Sequence, residues 1–413
     1  WRRSHYNKII MKNWFLRILA SMAMVTCSSA AAADKPLKIY IMAGQSNMVG
    51  YGAVSSFDYI GDDPKTAPLL KLMRGADGRP AVGKRVWISS FTGKMSQEAQ
   101  EYSGKLCVGL GGRRDHSELG DSIGPEYPFG LVMEQAYDGP ILIIKTAWGG
   151  QSLCIHYRSP SAGPYVPLES EKAAWAKINK TESKLAQIRE ESGQNYRWMM
   201  DHVKKVLADI KRVYPDYDEK LGYELAGFVW FQGWNDYISG HYPESLGENR
   251  YAEYTKLFAH FIRDVRKDLN APKMPFTIGV VGFYGNFTPG VFEARKGTKP
   301  RMEAFRKAQA AVAALPEFKG SVAAVQTAPF WDDKLMAIAL KEIKYFQMKK
   351  KLTMKRKDGP NADGKMTKQQ IDEYLENFRK ELFTAEEEAL KKRGGGPGGW
   401  AHYHGSAKFH AQA

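Results

Sequence analysis

The chain has 413 residues, 43% hydrophobic and 25% charged, an ordinary globular composition that excludes a fibrous or intrinsically disordered protein and allows one large domain or two modest ones. Its formal charge of +15 arises from 60 basic against 45 acidic residues; five of the basic ones lie in residues 1–33, so the remainder carries +10. An excess of that size favours acidic surfaces or polyanions, but no nucleic-acid-binding motif accompanies it, and nucleic acid is left out of the expected partners.

Residues 1–10 precede Met11 and read as upstream sequence. From Met11, a basic start (Lys12, Arg17), an apolar stretch from Ile18 to Val25 and small residues up to Ala33 have the form of a secretory signal, with cleavage expected before Asp34 and a secreted or periplasmic location. No later run approaches 18 apolar residues, so the main domain, residues 34–413, is expected to be soluble, with no stable membrane association. Of the three cysteines, Cys107 and Cys154 remain after the signal, in an export pathway where a disulfide can persist; the sequence does not say whether they meet. Oligomeric state is equally unmarked.

The first strand is expected at Ile39–Met42, where a continuous apolar run reads as buried on both faces, and it breaks into the turn Gly44-Gln45-Ser46-Asn47. Ser46 thus sits just past a strand's carboxyl end, either as a nucleophile awaiting a base and oxyanion donors or as a helix N-cap. Residues 51–126 read as a long irregular region containing the aromatic patch VWISSFTG, part of a substrate-side wall. A Pro-started helix follows, with Phe129, Val132 and Met133 on one side, then a strand at Ile141–Thr146 running into Trp148-Gly149-Gly150-Gln151-Ser152.

Two helices are expected within 170–214, and a third strand, Gly227–Phe231, breaks at Gln232-Gly233-Trp234-Asn235-Asp236. The next helix places Tyr254, Leu257, Phe258, Phe261, Ile262 and Val265 on one face. Strands at Phe276–Phe283 and Ser321–Thr327 flank a helix at Met302–Leu315. Five apolar strands alternating with amphipathic helices predict an α/β domain built on an open parallel sheet covered on both faces, with ligands bound beyond the strands' carboxyl ends. Three polar, Gly-containing turns fall at that edge, which favours function over simple capping for Ser46. Residues 335–393, a basic stretch followed by an acidic one, read as an inserted helical hairpin whose faces are solvated or mutually paired. The run Asn361–Gly364 lacks carboxylates at the first and twelfth positions of a calcium loop, which excludes calcium there. The last helix is expected from Ser406.

Taken together, GQSN at 44–47, GPE at 124–126, GGQS at 149–152, QGWND at 232–236 and HYHGSA at 402–407 resemble the sialate O-acetylesterase-like carbohydrate esterases, a branch of the SGNH hydrolases, from about Lys38 onward. The resemblance implies a three-layer α/β/α sandwich of the flavodoxin-like SGNH type with a five-stranded parallel sheet. It further implies a serine esterase that removes O-acetyl groups from a carbohydrate through an acyl-enzyme, with no cofactor and no metal. By it, Ser46 is the nucleophile and His402 the general base. The oxyanion hole comprises the backbone N–H groups of Ser46 and Gly150 and the side chain of Asn235. Gln45, Trp148, Gln232 and Trp234 are candidate substrate contacts, the two tryptophans either stacking on sugar faces or belonging to the core.

His404 rivals His402 as base. The family commonly places an Asp three residues before the histidine, where this chain has Gly399, so the acid is either another carboxylate, with Asp332 the first candidate, or missing from a Ser46–His402 dyad. Two other functions remain open: a carbohydrate-binding protein on the same scaffold without catalysis, and a hydrolase of lipid or thioester acyl groups.

Overall fold

β1 (Leu37–Gly44) is shielded on both faces, as its unbroken apolar run requires, and lies at the centre of a seven-stranded sheet. The computed structural model describes residues 35–93, 99–112, 118–289, 297–396 and 399–413; the signal-like segment lies outside them. The strands that follow are β2 (Gly52–Ala53), β3 (Val86–Gly93), β4 (Gln100–Lys105), β5 (Ser122–Ile123), β6 (Ile141–Trp148), β7 (Tyr223–Phe231), β8 (Phe276–Val280) and β9 (Val322–Gln326). Their order in the main sheet is β4-β3-β6-β1-β7-β8-β9, parallel throughout except for the antiparallel edge strand β4, while β2 and β5 form a separate small ribbon.

The five expected strands are all present as β1, β6, β7, β8 and β9, but the sheet has seven, because the region read as irregular supplies β3 and β4. VWISSFTG is a strand rather than a wall of loop. Its apolar run is interrupted by Ser89, Ser90 and Thr92, which are buried all the same. Ser89 is paired there, its hydroxyl donating to Glu101 Oε1 at 2.7 Å on β4 and lying 2.8 Å from His202 Nε2, whereas the Ser90 and Thr92 hydroxyls have no partner among the described residues. A polar residue in a strand is invisible as core until its partner is known.

The helix Ala252–Asp268 buries all six residues expected on its inner face, with Phe258 and Phe261 packed on Trp230 of β7. The helix Glu126–Ala136 is rotated from expectation: Tyr127 and Leu131 are buried and Val132 is 42% exposed. Tyr127 sets that rotation, since its hydroxyl donates to the carbonyls of Met73 and Ala81. The region expected to hold two helices within 170–214 holds three (Glu169–Ala176, Thr181–Glu191 and Gln194–Ala208).

The insertion also has three helices where a hairpin was expected: Asp333–Thr353, Lys368–Leu382 and Ala385–Gly394. Thr384 caps the last of these with Glu387 in a reciprocal box, which restarts the helix after Phe383. The basic and acidic stretches do pair. Lys341 meets Glu387 at 2.6 Å, and Glu342 receives Arg379 at 3.0 Å together with Lys391. The Asn361 side chain is buried and spent on the backbone of Leu352 and Met366. The segment after Gly399 docks on the chain that follows the first strand, where Ala53 bridges Ser406 and the Ser56 hydroxyl accepts from the Ala407 N–H at 2.9 Å. Cys107 and Cys154 are unbridged thiols. Among the described residues no helix is long and apolar enough to cross a membrane.

Burial pushes four imidazoles down, His156, His202 and His404 to about 4 and His410 to about 3, so all four stay neutral in the fold. The unfolded chain takes up those protons near pH 6.5, so the stability they contribute is complete above that pH and is withdrawn as the pH falls toward the folded values, by about 1.4 kcal/mol per pH unit for each ring. Urea unfolding at several pH values should show a steep loss between pH 6.5 and 4.5. A flat profile there would contradict the burial of these rings.

Candidate active site

The ends of three adjacent strands are in register: Gly44 of β1 pairs with Ala147 of β6 on one side and with Phe231 of β7 on the other. The three polar turns therefore open side by side at the carboxyl edge of the sheet. Gly44 is required by this closeness, because a Cβ there would lie 2.1 Å from the Phe231 carbonyl oxygen.

Gln45, buried at 1% exposure, ties the first turn to the third. Its Oε1 accepts from the N–H of Gly233 (3.1 Å), the N–H of Asn235 (3.2 Å) and the amide of Gln232 (3.2 Å), and its own Nε2 donates to Asn235 Oδ1 at 2.9 Å. Because Asn235 Oδ1 is engaged in this way, the Asn235 NH2 group is aimed at the second turn, where it donates to the Gly150 carbonyl at 2.8 Å. Asp236, wholly buried, closes the frame by accepting from the N–H groups of Leu153 (2.8 Å) and Cys154 (3.0 Å), from the Tyr242 hydroxyl (2.8 Å) and from Gln232. Burial pushes the Asp236 carboxyl above its ordinary range, and these four donors pull it back.

Ser46 begins the short helix Ser46–Val49 and is nearly buried. Among the described residues neither its N–H nor that of Gly150 has an acceptor, and the Ser46 hydroxyl has no hydrogen-bond partner. Gly150 is exposed, with φ +74°, a left-handed turn with open space before it. Two free donors and the Asn235 amide thus gather beside one serine.

His402 reaches this edge from the far end of the chain. Its half-buried ring lies on Tyr51, with centroids 4.1 Å apart, only five residues beyond Ser46. It is not hydrogen-bonded to Ser46 in this state; such bonds often tighten only around a bound substrate. His404 is separated from it in character, being buried, packed edge-on against Trp331 at 4.7 Å and held neutral.

Other candidates are placed differently. Trp148 is fully buried against Phe91, Tyr157 and Trp198 and belongs to the core, not to a sugar platform. Gln45 and Gln232, also buried, are framework rather than substrate contacts. Asp332 Oδ1 caps the helix Asp333–Thr353 by accepting from Leu335 N, its Oδ2 accepts from the Tyr59 hydroxyl at 2.6 Å, and its charge bears on His404. Trp234 alone of the four proposed contacts stays half-exposed, in an aromatic cluster with Phe283 (4.5 Å), Trp400 (5.5 Å) and Tyr237 (5.6 Å). Sequence reasoning did not find Tyr51 or Trp400, which carry no pattern of their own, and gave Asp236 no role of its own although it follows Asn235 in the same motif. Among the described residues no group of three or more His, Cys, Asp or Glu side chains is placed to hold a metal ion.

Comparison with known proteins adds a family. Residues 36–327 match the family model described as "Carbohydrate esterase, sialic acid-specific acetylesterase". A probable carbohydrate esterase of Arabidopsis thaliana is 31% identical over 80 residues, 19% of this chain and 28% of that protein. A crystal structure of an Arabidopsis thaliana protein aligns over 71% of this chain and 86% of its own, at 16% identity and a TM-score of 0.36. A carbohydrate acetylesterase from Xanthomonas citri aligns over 75% of this chain and 57% of its own, at 13% identity and a TM-score of 0.39.

Replacing Gln45 by Ala strands three donors and releases Asn235. It should cost about 3 kcal/mol in stability, measured by urea unfolding, because buried groups left unpaired carry their full desolvation penalty. A loss below about 0.5 kcal/mol would contradict the role given to Gln45.

Proposed function

Because the chain belongs to the carbohydrate esterase family of sialic acid-specific acetylesterases, we propose that it is an exported serine esterase that removes O-acetyl groups from a carbohydrate through an acyl-enzyme. The observation that carries this reading is the hydrogen-bonded series from Gln45 through Asn235 to Gly150, which gathers the donors of an oxyanion hole beside Ser46. In this mechanism Ser46 Oγ attacks the acetyl carbonyl while His402 takes its proton. The developing oxyanion is met by the N–H groups of Ser46 and Gly150 and by the second N–H of the Asn235 amide. As the bond from the acetyl carbon to the sugar oxygen breaks, His402 gives its proton to that oxygen, which leaves as the sugar hydroxyl. Water, activated by the same ring, releases acetate and restores Ser46.

Gly399 stands where the family commonly has an Asp, and Asp332 has partners at both oxygens, so Asp332 is not proposed as the acid; the His402 ring is steadied at least by packing on Tyr51. Trp234, half-exposed next to Asn235, is the proposed sugar contact. Export rests on the signal-like residues 11–33.

Released acetate from a panel of acetylated glycans tests the substrate class. Ser46→Ala should abolish release, and an inactive wild type would favour a binding protein instead. Asn235→Ala should lower kcat on the order of a hundredfold, the usual loss for one oxyanion donor. Asp332→Asn should change kcat by less than about threefold, which separates a helix cap from a catalytic acid.

A further inference from the structure

Lys145 is a fully buried cation in β6, one strand away from the nucleophile and in register with Met42 of β1. Its Nζ donates to Glu126 Oε2 at 2.6 Å and to the carbonyl of Val49 at 2.9 Å. Glu126 is equally buried, and its other oxygen accepts from Gly124 N at 3.0 Å. Val49 is the last residue of the helix that Ser46 begins. That helix has only four residues, and its N–H bonds run from Met48 and Val49 to the Gln45 carbonyl and from Gly50 to the Ser46 carbonyl. A single turn of this kind is not stable by itself and takes its geometry from what holds its ends.

We infer that the Lys145–Glu126 pair is a positioning device for the reaction: it grips the carboxyl end of the Ser46 helix and thereby sets where the Ser46 hydroxyl stands. Burying both charges is costly, and apolar residues of similar volume support a fold as well or better, so stability does not account for the pair. Direction does. A cation at a helix carboxyl end complements the dipole and satisfies a carbonyl the helix leaves open. The Gln45 contacts fix the amino end of the same turn, so the two grips bracket Ser46. His410 lies near Lys145 and is held neutral by burial and then by that charge, so it brings no rival cation to the pocket.

The assignment rests on Ser46 as nucleophile, and the test separates the two. The double variant Lys145→Met with Glu126→Gln removes both charges, keeps an acceptor for Gly124 and leaves no unpaired ion. It should fold, with kcat for acetate release lowered about tenfold or more and KM within about twofold, as expected when a reacting group is misplaced. Amide exchange at Val49 and Gly50 should accelerate about tenfold while that of β1 is unchanged. Unchanged exchange at Val49 and Gly50, or acceleration spread evenly over β1 and β6, would overturn the positioning role. Should Ser46→Ala retain activity, the nucleophile assignment fails, and the exchange measurement still decides whether the pair holds the turn.

Discussion

One buried amide, that of Gln45, holds together the parts on which the rest of the site depends. It has four hydrogen bonds to the turn after β7, from Gly233, Asn235 and Gln232 and to Asn235, and together they fix that turn against the one after β1. Asp236 then joins the β7 turn to the segment following the β6 turn. Three loops that would each be mobile alone are thereby a single rigid edge. Donors arranged this way need no reorganisation when negative charge develops before them, which is the condition for strong electrostatic stabilisation.

Joined to this frame through Trp234 is an aromatic wall built from distant parts of the chain. Trp234 travels with the turn after β7 and Trp400 with the segment that carries His402, and their rings meet edge to face at 5.5 Å, with Tyr284 stacked on Trp400 at 5.9 Å. Tyr284, Tyr403 and His404 all have positive φ, a conformation that costs a side-chain-bearing residue energy and persists only under outside constraint. Tyr403 supplies that constraint for the histidine loop. It stacks on Phe409 at 3.4 Å and Phe283 at 4.9 Å, and its hydroxyl accepts from Gly282 N at 2.9 Å.

What the sequence made legible follows from what periodicity and turn chemistry can encode. The five strands with unbroken apolar runs and the amphipathic helix Ala252–Asp268 were all readable, and so was the placing of three Gly-containing turns at one edge. β3 was not, since Ser89, Ser90 and Thr92 look like loop residues until Glu101 and His202 are seen beside Ser89. The same blindness explains the site. Motif positions located Asn235 and Gly150, which meet at 2.8 Å, but nothing local distinguishes a glutamine that touches substrate from one, like Gln45, consumed by framework bonds. Asp332 was plausible by position after the fifth strand, yet it is a helix cap, a use that depends on Leu335 and Tyr59 rather than on any neighbour of His402.

The docking of the segment after Gly399 has a consequence for how the site is completed. Its anchor, the bond between Ala407 and Ser56, joins residues 351 positions apart, so closing it early would cost about 5 kcal/mol of chain entropy with little yet formed to offset it. The frame's own closures cost nearly as much, Gln45 to Asn235 spanning 190 positions, so chain entropy separates the two events by only about 0.5 kcal/mol. In the proposed mechanism the base comes from the far end of the chain, so a molecule in which the segment after Gly399 is undocked would hold Ser46 without His402.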